Sequence, residues 1–297
     1  MRLPFTRLAG RPHFRRGIAS KNRQRMEQYL WLILVGFVIG AYGTLIGAGG
    51  GFVLVPLLLV LYPDENPETL TGISLAVVFF NAFSGSVAYA REKRIDLYSG
   101  VMFSLATIPG AVLGALTTPY ISRRLFDLIV GLLMLAAGSF LLLRPSHRRL
   151  AAEHRAGYFS RHLVEADGTE HDFSYNRTVG VGLSLFVGYI SSLLGIGGGF
   201  IHVPALVHLL NFPVHIATAT SQFILAVMAF AGTATHIVQG VFQHGVRRTI
   251  ALSIGVVLGA QLGARLSGRV HGDWIIRGLA VALALVGARL IVMVFGA

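Results

Sequence analysis

Cysteine is missing from all 297 residues, which removes disulfides, thiolate catalysis and Cys-ligated metals from consideration. Charge is scarce: 13% of the residues are Asp, Glu, Lys or Arg, against about 25% in a soluble globular domain. Between Thr69 and Ala90, and again between Leu97 and Ser122, there is no ionisable Asp, Glu, Lys, Arg or His. No Gly-x-x-x-x-Gly-Lys-Ser/Thr stretch is present, so the chain carries no ATPase of its own. An intramembrane enzyme is disfavoured by the lack of a His-Glu-x-x-His pair and of an acid placed to act as base inside the apolar runs. Nothing alternates in polarity over ~10-residue stretches, which argues against a β-barrel.

What remains is apolar. Hydrophobic residues make up 54% of the chain, and runs near the roughly 20 residues of a spanning helix recur at 29–62, 69–90, 97–122, 125–143, 178–210, 212–238, 249–264 and 274–297. Backbone groups in hydrocarbon must be satisfied within their own segment, so these runs are helices. The expected fold is all-α, a polytopic transmembrane bundle of two homologous repeats with Gly-broken helices. Lipid is therefore an expected partner and nucleic acid is not, despite the net charge of +12. A second copy of the chain, as a homodimer, stays open, and no cofactor or metal is expected.

Acids are absent before Glu27, while Arg2, Arg7, Arg11, Arg15, Arg16, Lys21, Arg23 and Arg25 precede the first apolar run. Positive charge stays inside, so residues 1–28 read as a cytoplasmic segment of a multi-pass protein of the bacterial inner membrane. An Arg-rich, acid-poor start is also the composition of a mitochondrial transit peptide.

Residues 47–56, Gly-Ala-Gly-Gly-Gly-Phe-Val-Leu-Val-Pro, match residues 195–204, Gly-Ile-Gly-Gly-Gly-Phe-Ile-His-Val-Pro, at seven of ten positions with an offset of 148. Gly110 to Ala115 pairs with Gly259 to Ala264 at 149, and Ser74 with Ser221 at 147. Offsets this close divide the chain into a first repeat at 29–143, a polar linker at 144–177 and a second repeat at 178–297. Gly-interrupted apolar segments at corresponding places are the pattern of secondary transporters, and the interruptions mark the binding site.

Within the linker, Asp167-Gly168 between two short runs predicts a two-residue β-hairpin turn. Histidines 147, 154, 162 and 171 lie among solvated charges, at spacings that fit no compact metal site. An even number of crossings per repeat places the N-terminus, the 91–94 loop, the linker and the C-terminus in the cytoplasm, which fits the basic residues Arg91, Lys93 and Arg94. The rival is a broken segment that turns back as a hairpin, with an odd count and a linker on the other side.

The run 29–62 would be ~50 Å as one helix, too long for a ~30 Å core. It breaks at Gly43 and Gly47 to Gly51, and its counterpart breaks at Gly195 to Gly199. A half-helix starting at each break exposes N–H donors and the positive end of its dipole, where anions are stabilised. Gly49, Gly50, Gly51, Gly197, Gly198 and Gly199 are thus the expected backbone of an anion site at mid-membrane. Ser74, Asn81, Thr220, Ser221 and Gln222 are the polar side chains expected to join it. His202, about one turn into the second half-helix, and His236 are candidates for proton coupling; each has as its plain alternative a bond to a neighbouring carbonyl. Arg265 is a candidate anion contact or a snorkelling interface residue. Glycines at 110, 114, 255, 259 and 263 read as helix-packing positions.

The doubled Gly-x-Gly-Gly-Gly-Phe-x-x-x-Pro, Ala219-Thr220-Ser221 and the Gly-Ala-x-Leu-Gly-Ala element resemble the sulfite exporter TauE/SafE family over residues 30–143 and 178–296. The resemblance implies a bacterial transporter of sulfite, organosulfonates or related sulfur-containing or carboxylate anions. The first repeat has Gly72-Ile73-Ser74 where the second has Ala219-Thr220-Ser221, so the halves contribute unequally. A proton-coupled secondary transporter of a small anion is the expected function, with an anion channel as the alternative.

Overall fold

The computed structural model describes residues 12–143, 158–241, 245–270 and 272–295. Residues 1–11 of the basic segment and 144–157 of the linker, with His147 and His154, lie outside the described residues. In chain order the elements are α1 (Pro12–Leu45), α2 (Gly51–Leu61), α3 (Pro67–Arg91), α4 (Leu97–Thr117) with a 3-10 turn (Thr118–Tyr120), and α5 (Arg123–Leu143). There follow β1 (Phe159–Val164), β2 (Glu170–Tyr175), α6 (Arg177–Leu194), α7 (Gly199–His208), α8 (Val214–Val238), α9 (Val246–Ser267) and α10 (Gly272–Phe295).

The chain is a polytopic helical membrane protein. Among the described residues α3, α4 with its 3-10 turn, α6, α8 and α9 have the length and apolarity to cross a bilayer. The first helix begins at Pro12, inside the basic segment, and ends at Leu45; the chain resumes as a helix at Gly51. In the second half the same interruption falls between Leu194 and Gly199. Pro56 and Pro204 sit at matching places in the short helices α2 and α7, where each removes one more backbone donor from an already short ladder.

Glycine contacts fix the helix directions. A Cβ on Gly255, Gly259 or Gly263 would stand 2.1 Å from the carbonyl oxygens of Ile33, Phe37 and Ala41 in turn. The numbers rise together, so α9 lies parallel to α1 with the backbones nearly touching. Gly110 and Gly114 meet the carbonyls of Leu185 and Tyr189 at 2.2 and 2.3 Å in the same sense, making α4 parallel to α6. Helix α3 is antiparallel to α8, with Gly72 beside His236 and Gly85 beside Gln222. It is parallel to α9, with Ile73 against Gly245 and the Ser84 hydroxyl donating to Val257 O at 2.8 Å.

Since α1 and α3 point the same way, α2 between them must come back. Its far end confirms the reversal: Arg123, at the start of α5, donates to the carbonyls of Leu59, Pro63 and Glu65, and Arg248, at the start of α9, pairs with Glu65 at 2.9 Å. Helices α1 and α2 therefore form a re-entrant hairpin. Helices α6 and α7 form another from the opposite end, where Leu206, Leu210 and Phe212 pack on Phe173 and Tyr175 of β2.

The helix directions alternate through α3, α4 and α5 and again through α8, α9 and α10, so the end of α5 lies at the end of the bundle opposite to the start of α1. This corrects the even-count expectation, which put the linker on the same side as the N-terminus. The β-hairpin lies at the end of the bundle opposite to the start of α1, with Ala166 N donating to Glu92 O at 3.0 Å in the turn between α3 and α4. Its turn also differs from the two-residue expectation. Glu165 N bonds Thr169 O at 2.9 Å, leaving a three-residue loop with Gly168 at φ 87°, the αL position such loops require.

The helix pairings exchange between halves: α1 packs on α9 as α6 packs on α4, and α3 on α9 as α8 on α4, while α3·α8 and α5·α10 pair across the middle.

Candidate functional site

The two glycine loops meet at the centre of the bundle. Every residue from Ile46 to Phe52 and from Ser191 to Phe200 is buried, as irregular backbone at membrane depth must be. Gly47, Gly49, Gly195 and Gly197 all have φ between 68° and 75°, a conformation that glycine alone adopts without strain. The halves part company at the next residue, where Gly50 has φ 75° and Gly198 has φ −71°.

The loops cross in backbone contact. A Cβ on Gly51 would lie 2.3 Å from Ile196 O, and one on Gly199 would lie 2.2 Å from Gly47 O. Val78 and Leu225 close over the crossing, Val78 beside Gly49, Gly51 and Gly197, and Leu225 beside Gly49. The gap between the two half-helix starts is therefore filled, so Gly51 and Gly199 face the other loop and not an open cavity.

Two serines hold the loops in place. Ser74 donates to Gly195 O at 2.6 Å and Ser221 to Gly47 O at 3.1 Å, so each half straps the first glycine of the other. Their protons are spent on carbonyls, which makes them positioning residues and not free anion donors. Thr220 is elsewhere again: its hydroxyl oxygen accepts from Asp96 N at 3.0 Å, at the start of α4.

Asn81 and Gln222 do come together, with Thr44, which the sequence reading missed. The Thr44 hydroxyl donates to Asn81 Oδ1 at 3.1 Å, and Gln222 Nε2 reaches Gly43 O at 3.4 Å. A Cβ on Gly85 would stand 3.2 Å from Thr44 Oγ1 and 3.5 Å from the Gln222 amide carbon, so glycine makes the floor between them. All three side chains are fully buried, yet Asn81 Nδ2 and Gln222 Oε1 have no partner. A buried donor left unmade is costly enough to need a reason. Asn81 lies one turn beyond Val78 on α3, toward the side that the N-terminal end of α2 faces. There Val53 and Leu54 N bond back to Gly50 O, leaving the Gly51 and Phe52 donors outside the ladder.

Below the crossing, on the side faced by the start of α7, lie Thr71, Ser191, Ser192 and His236, all buried with side-chain atoms lacking partners. Ser192 matches Thr44 at the offset of 148, and His236 matches Tyr89 at 147. Tyr89 donates to Thr44 O at 2.8 Å. Neither His236 ring nitrogen has a partner in bonding geometry, although the Gln239 side chain is close enough to interact with the ring. Leu75 stands where the other half has Gln222, so the two sides of the crossing differ in polarity. The repeat offset was the signal that could have singled out Thr44.

His202 sits apart, its Nε2 3.3 Å from Ser184 Oγ within its own hairpin and its Nδ1 unpartnered. Arg265 is exposed in the last turn of α9.

The β-hairpin end carries the buried carboxylates of the described residues, Asp96 and Glu165. Asp96, fully buried, takes three hydrogen bonds from Arg161, the shortest 2.7 Å, and one from Ser99. Glu165 joins Arg94 at 2.5 Å and His171 at 2.7 Å. Burial raises the Glu92 carboxyl against the lowering effect of Arg94. The bond to Asp172 raises the exposed His162 imidazole.

Against this geometry stand the comparisons with known proteins. The family model for "Sulfite exporter TauE/SafE" matches residues 32–290. The chain belongs to the sulfite exporter TauE/SafE family. Among its relatives, the "Probable membrane transporter protein YunE" of Bacillus subtilis is 32% identical over 71% of this chain and 79% of its own. A "Probable membrane transporter protein" of Xylella fastidiosa (strain Temecula1) is 32% identical over 66% and 67%. The "Probable membrane transporter protein YdhB" of Bacillus subtilis is 26% identical over 72% and 80%. No solved structure matches. As a TauE/SafE member with such relatives, the chain is a membrane transporter.

Proposed function

We propose that this transporter carries a small anion, a sulfite, organosulfonate or related carboxylate, across the bacterial inner membrane with its N-terminus in the cytoplasm. The anion binds in the pocket of Thr44, Asn81 and Gln222, beside the start of α2. The observation that carries this reading is Asn81 Nδ2, a fully buried donor without a partner at the side to which a helix N-terminus points. The family description, which names sulfite, supports an anion of that kind.

A carrier is favoured over a channel because the loops cross in backbone contact with Val78 and Leu225 closed over them, so passage requires the crossing to rearrange. Proton coupling falls to His236 before His202, since His236 lies among the buried polar groups beside the crossing while His202 rests on Ser184 within its own hairpin. Sulfite binding to the detergent-purified protein, read by calorimetry, tests the pocket. Asn81→Leu is expected to weaken binding at least about tenfold, the worth of one hydrogen bond to a charged group. Unchanged affinity in a folded Asn81→Leu protein would refute the site.

A further inference from the structure

The buried polar groups of the described residues include no Lys and no Arg at all. The two buried carboxylates, Asp96 and Glu165, are both matched by arginines at the β-hairpin end, Arg161 and Arg94. Around the crossing the unpartnered groups are Asn81 Nδ2, Gln222 Oε1 and the hydroxyls of Ser191 and Ser192, with backbone N–H groups at the two half-helix starts, and His236 is the one titratable side chain among the groups described there. We propose that the Thr44, Asn81 and Gln222 pocket sorts anions by charge number, admitting monoanions and rejecting dianions of similar size.

The inference rests on the anion site proposed above and adds a rule for what it accepts. A helix start offers the equivalent of roughly half a positive charge, and neutral amides add dipoles without net charge. That suffices to offset much of a single negative charge in a dry site. The self-energy of an ion in low dielectric grows as the square of its charge, so a second charge multiplies the desolvation penalty about fourfold while the compensating groups stay the same. Specificity of this kind comes from a group withheld: an arginine in the pocket would serve the dianion, and there is none. For an oxyanion present in both states near neutrality, the pocket takes the protonated, singly charged form. Net charge compensation on the far side is limited to His236, one charge at most.

The test is exchange across proteoliposomes containing the full chain and loaded with labelled sulfite. External methanesulfonate, a monoanion throughout the working pH range, is expected to exchange with it. Sulfate, of similar size and doubly charged, is expected to exchange at least about a hundredfold more slowly, in keeping with the unmatched second charge. Sulfate exchange at a rate near that of methanesulfonate overturns the charge rule while leaving the anion carrier intact. Absence of exchange with every anion, sulfite included, removes the anion reading itself and this inference with it. As a second measurement, Gln222→Arg, if it inserts and folds, is expected to raise sulfate exchange relative to methanesulfonate; an unchanged ratio also counts against the proposal.

Discussion

At the scale of single residues, the glycine motif separates into members with different duties. Gly199 faces the Gly47 carbonyl, a backbone atom that cannot step aside. Gly199→Ala is therefore expected to destabilise by roughly 3 kcal/mol, the upper range of overpacking, seen as a large fall in the thermal midpoint in detergent. Its neighbour Gly198 has ordinary φ and would meet only the side chains of Val187, Ser191 and Met228 at 3.0 to 3.3 Å. Gly198→Ala is expected to shift stability by about 1 kcal/mol or less, and an equal effect from the two would contradict the crossing of the loops. The sequence presents Gly50 and Gly198 as equivalents, but one is left-handed and the other is not, because repeat offsets carry no dihedral information. Ser74→Ala is expected to cost about 1 kcal/mol by orphaning the Gly195 carbonyl and to leave sulfite affinity unchanged. Loss of affinity with intact stability would return Ser74 to the binding site.

At the scale of elements, the helices were legible, because apolar run length acts locally. The direction of α2 was not. A broken crossing and a re-entrant hairpin have the same composition, and only the register of Gly255, Gly259 and Gly263 against α1 separates them. The difference is open to cysteine labelling in this cysteine-free chain. Asp64→Cys is expected to share a membrane side with an N-terminal tag, and Ser160→Cys to be labelled from the opposite side by an impermeant reagent. A cysteine at 64 reached from the side opposite the tag would restore the broken crossing. The β-hairpin was also legible, from Asp167-Gly168, but its docking was not, since it depends on a buried acid two elements away. Arg161→Ala leaves Asp96 buried without its cation and is expected to destabilise by roughly 3 kcal/mol. Adding Asp96→Asn should recover part of that loss, and no recovery would mean that Arg161 acts otherwise than through Asp96.

At the scale of the whole molecule, two hairpins entering from opposite ends meet where each is strapped by a serine of the other half. Interlocking of this sort gives a carrier a single place where both sides are closed by the same contacts. Glycines mark where the backbones touch, and the unpartnered Asn81 Nδ2 and Gln222 Oε1 lie about one turn beside them, a juxtaposition that the glycine spacing by itself does not reveal. Counterflow of labelled sulfite into proteoliposomes preloaded with unlabelled sulfite tests the central claim most directly. Saturable uptake accelerated by the internal anion, and lost in Asn81→Leu, is the predicted result. Uptake that neither saturates nor responds to the internal anion would contradict the account.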